Sequence, residues 1–161
     1  MKILFPLLFI SFLFACDQQA EEITTREKSY FLHRAGYDPV SGKVTFSEME
    51  PGKIKVEINL DNTDERYQFP AHLHFGSIRE VGELALRLND VDGGTGKSVT
   101  ILDRVALSSG EVVTYDMLNE INGSVKIHMS SGLFAHVVLA YGNVGGNENY
   151  MVDGVAVCTG H

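Results

Sequence analysis

The chain has 161 residues, with 13 Lys and Arg against 21 Asp and Glu, two Cys and no Trp, a size that suits one compact domain. A net charge of −8 without a basic run argues against nucleic acid as a partner, because that affinity comes mostly from Lys and Arg neutralising phosphates. Two cysteines cannot build a disulfide framework, and an apolar content of 44% supplies a core and excludes global disorder.

Residues 1–15 read as a targeting segment. Lys2 gives the positive start, and residues 3–14 are apolar apart from Pro6 and Ser11. That run falls well short of the ~20 residues a spanning helix needs, so it reads as the apolar region of a secretory signal. Ala15 directly before Cys16 resembles a bacterial lipobox, in which the signal is cut before the cysteine and its sulfur takes a diacylglyceryl group. Cys16 is therefore the expected lipidation site, with the chain held at a membrane of the cell envelope; the competing explanation is an ordinary signal with an incidental cysteine. Losing Lys2 with the leader takes the net charge from −8 to −9. Residues 16–27 are polar and acidic and read as a tether, leaving 28–161 as the folded domain. With Cys16 acylated, Cys158 has no partner in its own chain, and is a free thiol, an apolar filler or a soft metal ligand.

Beyond the tether the hydrophobic period is two. Val44 and Phe46 alternate in 43–48; in 53–60, Ile54, Val56, Ile58 and Leu60 alternate with Lys53, Lys55, Glu57 and Asn59, the pattern of a half-buried strand. The segment 71–75 follows, with Ala71, Leu73 and Phe75 on the core face, then 83–89 with Leu84, Leu86 and Leu88, and a strand marked by Val99 and Ile101. Thr114 can cap one helical turn over 115–119, which Asn122-Gly123 stops. Strands over 124–130, with Val125, Ile127 and Met129 inward, and over 134–141, a run apolar enough for burial on both sides, complete the series. Asp-Pro, Pro-Gly, Asp-Gly and Asn-Gly turns separate these segments. About eight short strands without crossover helices imply an all-β fold, an antiparallel sandwich or Greek-key barrel.

Three of the six histidines fall where chemistry is expected. His72 and His74 occupy the face of their strand opposite Ala71, Leu73 and Phe75, and so point outward about 6.6 to 6.8 Å apart at the backbone, near enough to lean onto one ion. His128 alternates with Val125, Ile127 and Met129 in the same way. Neutral imidazoles suit Cu, Zn or Ni, and Cu(II) binds most tightly of these. The competing explanation is surface histidines alternating by chance, which a third histidine weakens only if its strand is a neighbour. His136 lies two residues before Val138 and joins the group if that segment is already extended; otherwise it is a buried histidine held by a backbone carbonyl. His33 and His161 are weaker candidates, and Cys158-Thr159-Gly160-His161 reads as an accident of the tail. Gly94-Thr95-Gly96-Lys97-Ser98 mimics a phosphate loop, but the first glycine is replaced by Val91 and a strand follows instead of a helix. Asp90-x-Asp92 starts like a calcium loop and fails at Thr95 and Ile101. Residues 90–96 read as a hairpin connection, and no hydrolase arrangement is present.

The segments 41–46, 54–60, 71–76, 123–128 and 139–145 run in the order of the Cu/Zn superoxide dismutase fold. More closely, Pro70-Ala71-His72-Leu73-His74-Phe75, the stretch 89–98 and Gly123-Ser124-Val125-Lys126-Ile127-His128-Met129-Ser130 resemble the CHRD-type domains of bacterial lipoproteins, which are similar to that dismutase sandwich. The resemblance covers roughly 29–147. It implies that His72, His74 and His128 match three copper ligands. It also marks departures: no histidine lies between Phe75 and His128, so the bridging ligand and the zinc-site histidines are missing and no zinc site is expected. Val138 stands where the dismutase pattern has its substrate-guiding arginine, and Tyr141 replaces the second cysteine of its structural disulfide. The expectation is a lipid-anchored, non-catalytic module of the envelope with a histidine-based copper site at His72, His74, His128 and His136. The alternatives are a copper-only superoxide dismutase and an interaction domain without metal, whose protein partner is unknown.

Overall fold

The structure, a computed structural model, describes residues 26–80 and 82–148. Cys16, Cys158, His161, the leader and the tether through residue 25 lie outside the described residues. Arg26 and Glu27, allotted by the sequence to the tether, belong to the fold. Arg26 pairs with Glu48 at 2.6 Å and Asp116 at 2.7 Å, and Glu27 opens the first strand, β1 (Glu27–Arg34).

β1, β2 (Ser41–Glu50) and β3 (Lys53–Asp61) form a meander whose register follows from the apolar alternation. Tyr30 lies opposite Val44, Val44 opposite Ile58 and Phe46 opposite Val56, so one face of all three strands is buried. The short β4 (Gln68–Phe69), β5 (Ala71–Phe75), β6 (Leu84–Arg87), β7 (Val91–Asp92) and β8 (Lys97–Asp103) follow, then a helix α1 (Tyr115–Glu120), β9 (Asn122–His128) and β10 (Val138–Gly145). All pairings are antiparallel, in the order β4-β7-β8-β3-β2-β1-β10-β9-β5-β6. The expected all-β, antiparallel sandwich or barrel is the class of the fold.

Pro70 explains how this sheet encloses a core. β4 and β5 are consecutive along the chain, separated by Pro70 alone, yet β4 is the first strand of the order and β5 the last but one. The chain itself ties the two arms together, so the ten strands curl round Phe46, Ile58, Leu73, Val125, Ile127 and Val144. Proline has no N–H for a sheet ladder and suits a point where the chain leaves one ladder for another. The other join is the seam between β1 and β10, where His33 pairs with Tyr141 and Arg34 with Ala140. At that seam a Cβ on Gly142 would run into the Phe31 carbonyl. Gly142→Ala is therefore expected to destabilise the domain by about 1–3 kcal/mol, the usual cost of overpacking, seen as a lower urea midpoint at unchanged slope.

Two local expectations hold in detail. The Thr114 hydroxyl accepts from the Met117 amide at 3.2 Å, and α1 buries Tyr115 and Leu118 before the chain turns extended at Ile121. Within the expected hairpin connection over 90–96, Val91 and Asp92 form β7 and 93–96 turn the chain into β8: the Asp92 carboxylate accepts from the Thr95 amide and hydroxyl at 2.8 and 2.9 Å, and Gly96 takes φ +68°. Hydrogen bonds from Gln68 and then Thr95 hold the Asp92 carboxyl below its ordinary range.

β8 is the strand expected around Val99 and Ile101, with its apolar pattern turned outward. Val99 and Ile101 mark the strand but face outward, 48% and 45% exposed, while Ser98, Thr100 and Leu102 face inward. The register with β3 decides this, since Ile54, Val56 and Ile58 lie opposite Leu102, Thr100 and Ser98. The inward hydroxyls are satisfied: Ser98 Oγ donates to the Asn89 carbonyl at 2.8 Å, and Thr100 Oγ1 accepts from the Asn89 amide at 2.8 Å. A buried hydroxyl with a partner costs little, so the pairing prevails over the apolar pattern. The last strand also begins later than expected: 133–136 is a turn with Leu133 and Phe134 exposed, and β10 starts at Val138.

Candidate metal centre

β5 reads Ala-His-Leu-His-Phe, and strand alternation puts Ala71 and Leu73 into the core and His72 and His74 on the opposite face. β9 is its direct neighbour. Ala71 pairs with Ile127 and Leu73 with Val125, while His72 pairs with Lys126 and His74 with Ser124. His128, two residues beyond Lys126, shares that second face. The adjacency of strands that the histidine pattern needed is therefore present. On the far side, β10 sets Tyr141 opposite Lys126 and Asn143 opposite Ser124.

The second face is not open to solvent, which corrects the expectation that these histidines are outward surface groups. His72 is 8% exposed, His74 0%, His128 1% and Lys126 0%. The connection between β5 and β6 folds back across them. The Ile78 amide donates to Asn143 Oδ1 at 2.9 Å, Lys126 Nζ donates to the Glu80 carbonyl at 3.2 Å, and His74 Nδ1 lies 2.9 Å from the Gly82 carbonyl. Polar side chains on this face thus satisfy backbone groups of the loop that covers them, as a buried connection requires.

The three imidazoles converge. Ring centroids lie 4.9 Å apart for His72 and His128, 5.8 Å for His72 and His74, and 6.3 Å for His74 and His128. One ring nitrogen from each falls within 4.8 Å of the other two, and no carboxylate or thiol among the described residues joins them. Nitrogens bound at about 2.0–2.1 Å to one ion stand roughly 3.3–3.6 Å apart, so modest side-chain rotations bring the set to bonding distance. The group can hold a metal ion.

Hydrogen bonding sets which nitrogens are offered. The Gly82 carbonyl can only accept, so His74 Nδ1 carries the hydrogen and Nε2 keeps its lone pair, the usual orienting arrangement for a histidine ligand. His72 Nε2 lies 3.3 Å from Arg87 NH1, and a guanidinium can only donate. Ligation through His72 therefore ends that bond by either route, since metal at Nε2 displaces Arg87 and metal at Nδ1 moves the hydrogen onto Nε2. Arg87 lies directly opposite His72 on β6 and is exposed, so it is able to swing away.

His136 is not brought to this group. Its premise, an already extended segment, fails, for it stands exposed in the turn before β10. His33 is exposed on β1, with its ring 6.2 Å from that of Tyr141, and Val138 is the strand partner of His128. Arg87 is the residue of the site that the sequence does not reveal. Lys126 had a signal, its place two residues before His128 on one strand face; Arg87 had none, because only the β5–β6 register puts it beside His72. No protein-family model, curated protein or solved structure matches the chain.

Proposed function

We propose that this chain is a lipid-anchored β-sandwich module of the cell envelope that holds one copper ion on His72, His74 and His128 and does not turn over a substrate. One observation carries the reading: three buried imidazoles from two neighbouring strands, with ring nitrogens within 4.8 Å of one another. Copper is the choice within the metals imidazole suits, because Cu(II) heads the affinity series at a nitrogen site. The resemblance of 29–147 to CHRD-type and dismutase-like domains points the same way. Against turnover stand the burial of all three ligands, the valine at position 138 and the acidic balance of the chain, since an anionic substrate needs an accessible metal and a positive field. The alternative, a copper-only superoxide dismutase, is favoured by the guanidinium of Arg87 beside His72.

Metal analysis with a superoxide assay on the purified chain tests this. About one copper per chain with slow dismutation is expected. Turnover near the diffusion limit moves the assignment to the dismutase, and absence of copper uptake leaves an interaction domain. Anchoring has its own test. Cys16→Ser is expected to release the protein from the membrane fraction or block its processing, as followed by detergent partitioning and mass spectrometry of the N-terminal peptide. An unmodified soluble wild-type chain starting anywhere but Cys16 removes the anchor from the proposal.

A further inference from the structure

We infer that the outward face of β1, β2 and β3 carries a second site, apart from the imidazoles, that binds an acidic polysaccharide. A groove of about 580 Å³ crosses these strands, and Phe31, Arg34, Ser41, Lys43, Asn59 and Asp61 line it. The register builds it. Phe31 pairs with Lys43 and Lys43 with Asn59, while Ser41 pairs with Asp61 two positions along. An aromatic ring, an ammonium and an amide thus share one row, and a hydroxyl and a carboxylate share the next, about 6.6–6.8 Å away on the same face. Phe31 is 77% exposed although Tyr30 and Leu32 on either side of it are buried. Held outward by a paired strand, its ring offers a flat apolar surface.

Charge defines the ligand. Arg26, Lys28, Lys53, Lys55 and Arg66 each pair with a carboxylate. Arg34, Lys43 and Asp61 form no ion pair among the described residues. Glu57, two residues from Asn59, is engaged by Lys55 at 3.1 Å and Asn59 at 3.2 Å. Two cations left unneutralised in a chain of net charge −8 call for anionic groups, and the fork of an arginine suits a carboxylate. The Asp61 carboxylate can only accept, so it calls for a donor such as a hydroxyl and repels a uniformly anionic chain such as nucleic acid. Carboxylates, hydroxyl donors and flat C–H faces occur together in a uronic-type saccharide. The groove lies open on the sheet, unlike the enclosed sites of small molecules. Exposed Lys97 on β8, the partner of Asn59, continues the row beyond it. Lys43 and Lys97 stand two strand spacings apart, about 9.4–9.8 Å, so a chain with repeated carboxylates meets both.

Calorimetric titration of the full chain, purified in detergent, tests this with three probes: polygalacturonate, the same polymer as its neutral methyl ester, and polyglutamate. The wild type is expected to bind polygalacturonate, less tightly as salt rises, and the other two about tenfold more weakly or worse. Arg34→Gln and Lys43→Gln are each expected to lower the affinity for polygalacturonate about tenfold, as loss of a charged hydrogen bond does. Phe31→Ala should cost a similar factor through the lost apolar surface. All three side chains are exposed, so the fold is not at stake. Lys53→Gln removes the same charge from the far end of β3 and is expected to keep wild-type affinity. Equal affinity for polyglutamate overturns the saccharide assignment in favour of an acidic peptide. Full binding by Phe31→Ala, or an equal loss in Lys53→Gln, overturns the site and leaves general attraction between charges. A wild type that binds no polygalacturonate overturns the inference outright.

Discussion

Alanine at any one of His72, His74 or His128 is expected to weaken copper binding by about 100-fold or more. Loss of groups that merely orient ligands commonly costs 10- to 100-fold, and these substitutions remove a ligand from a set of three. The retained metal should fall from about one ion per chain to a small fraction after dialysis against a chelator, with the cupric electron paramagnetic resonance spectrum altered in whatever remains. His136→Ala and His33→Ala serve as internal controls and should retain the wild-type content, because both side chains are exposed and stand apart from the group. His74→Ala carries a second effect, since its ring also meets the Gly82 carbonyl; amide exchange in the β5–β6 connection should quicken in that variant even without copper. Equal copper content and equal spectra across wild type and the three ligand variants would remove the site.

What the sequence reveals and what it hides divides along one physical line. Strands with one face on the core and one toward solvent are legible, because their alternation is set by burial on a single side: β3 runs Lys53–Asp61, one residue beyond the stretch its alternation marks. β5 and β9 are buried on both sides, and their second face is polar, so by pattern alone His72, His74, Ser124, Lys126 and His128 look like surface residues. The cover is a loop fixed by backbone hydrogen bonds to Asn143, Lys126 and His74, and such bonds leave no hydrophobic signature. The direction in which β8 faces is hidden for a related reason. The apolar residues Val99 and Ile101 are visible in sequence, whereas the register with Ile54, Val56 and Ile58 that turns them outward belongs to another strand. Strand neighbours are non-local information. The histidine pair on the face opposite the core is readable within five residues, yet the row Arg87, His72, Lys126, Tyr141 draws on four strands and needs the topology.

Leu73 tests whether core and site are mechanically one object. It lies between the two histidines of β5 on the core face, 2% exposed, opposite Leu86 and Val125. Leu73→Ala is expected to cost about 2–5 kcal/mol from lost burial and the cavity left behind, a large share of the roughly 5–15 kcal/mol of a typical domain. The melting temperature should fall by about 2–4 °C for each kcal/mol. On the copper proposal the ion binds the assembled site of the folded chain, so at 100 times its dissociation constant it should add up to about 2.7 kcal/mol to the wild type. In Leu73→Ala the increment should be smaller. The cavity opens directly beneath the backbone that carries His72 and His74, and residues in contact usually couple by about 0.5–3 kcal/mol. Urea midpoints of both proteins with and without copper give the difference. A reduced increment means that packing on the core face holds the ligands in place on the other. Equal increments would mean that the hydrogen-bonded ladders from β9 and β6, together with the loop above, hold β5 in position whatever fills the space below it.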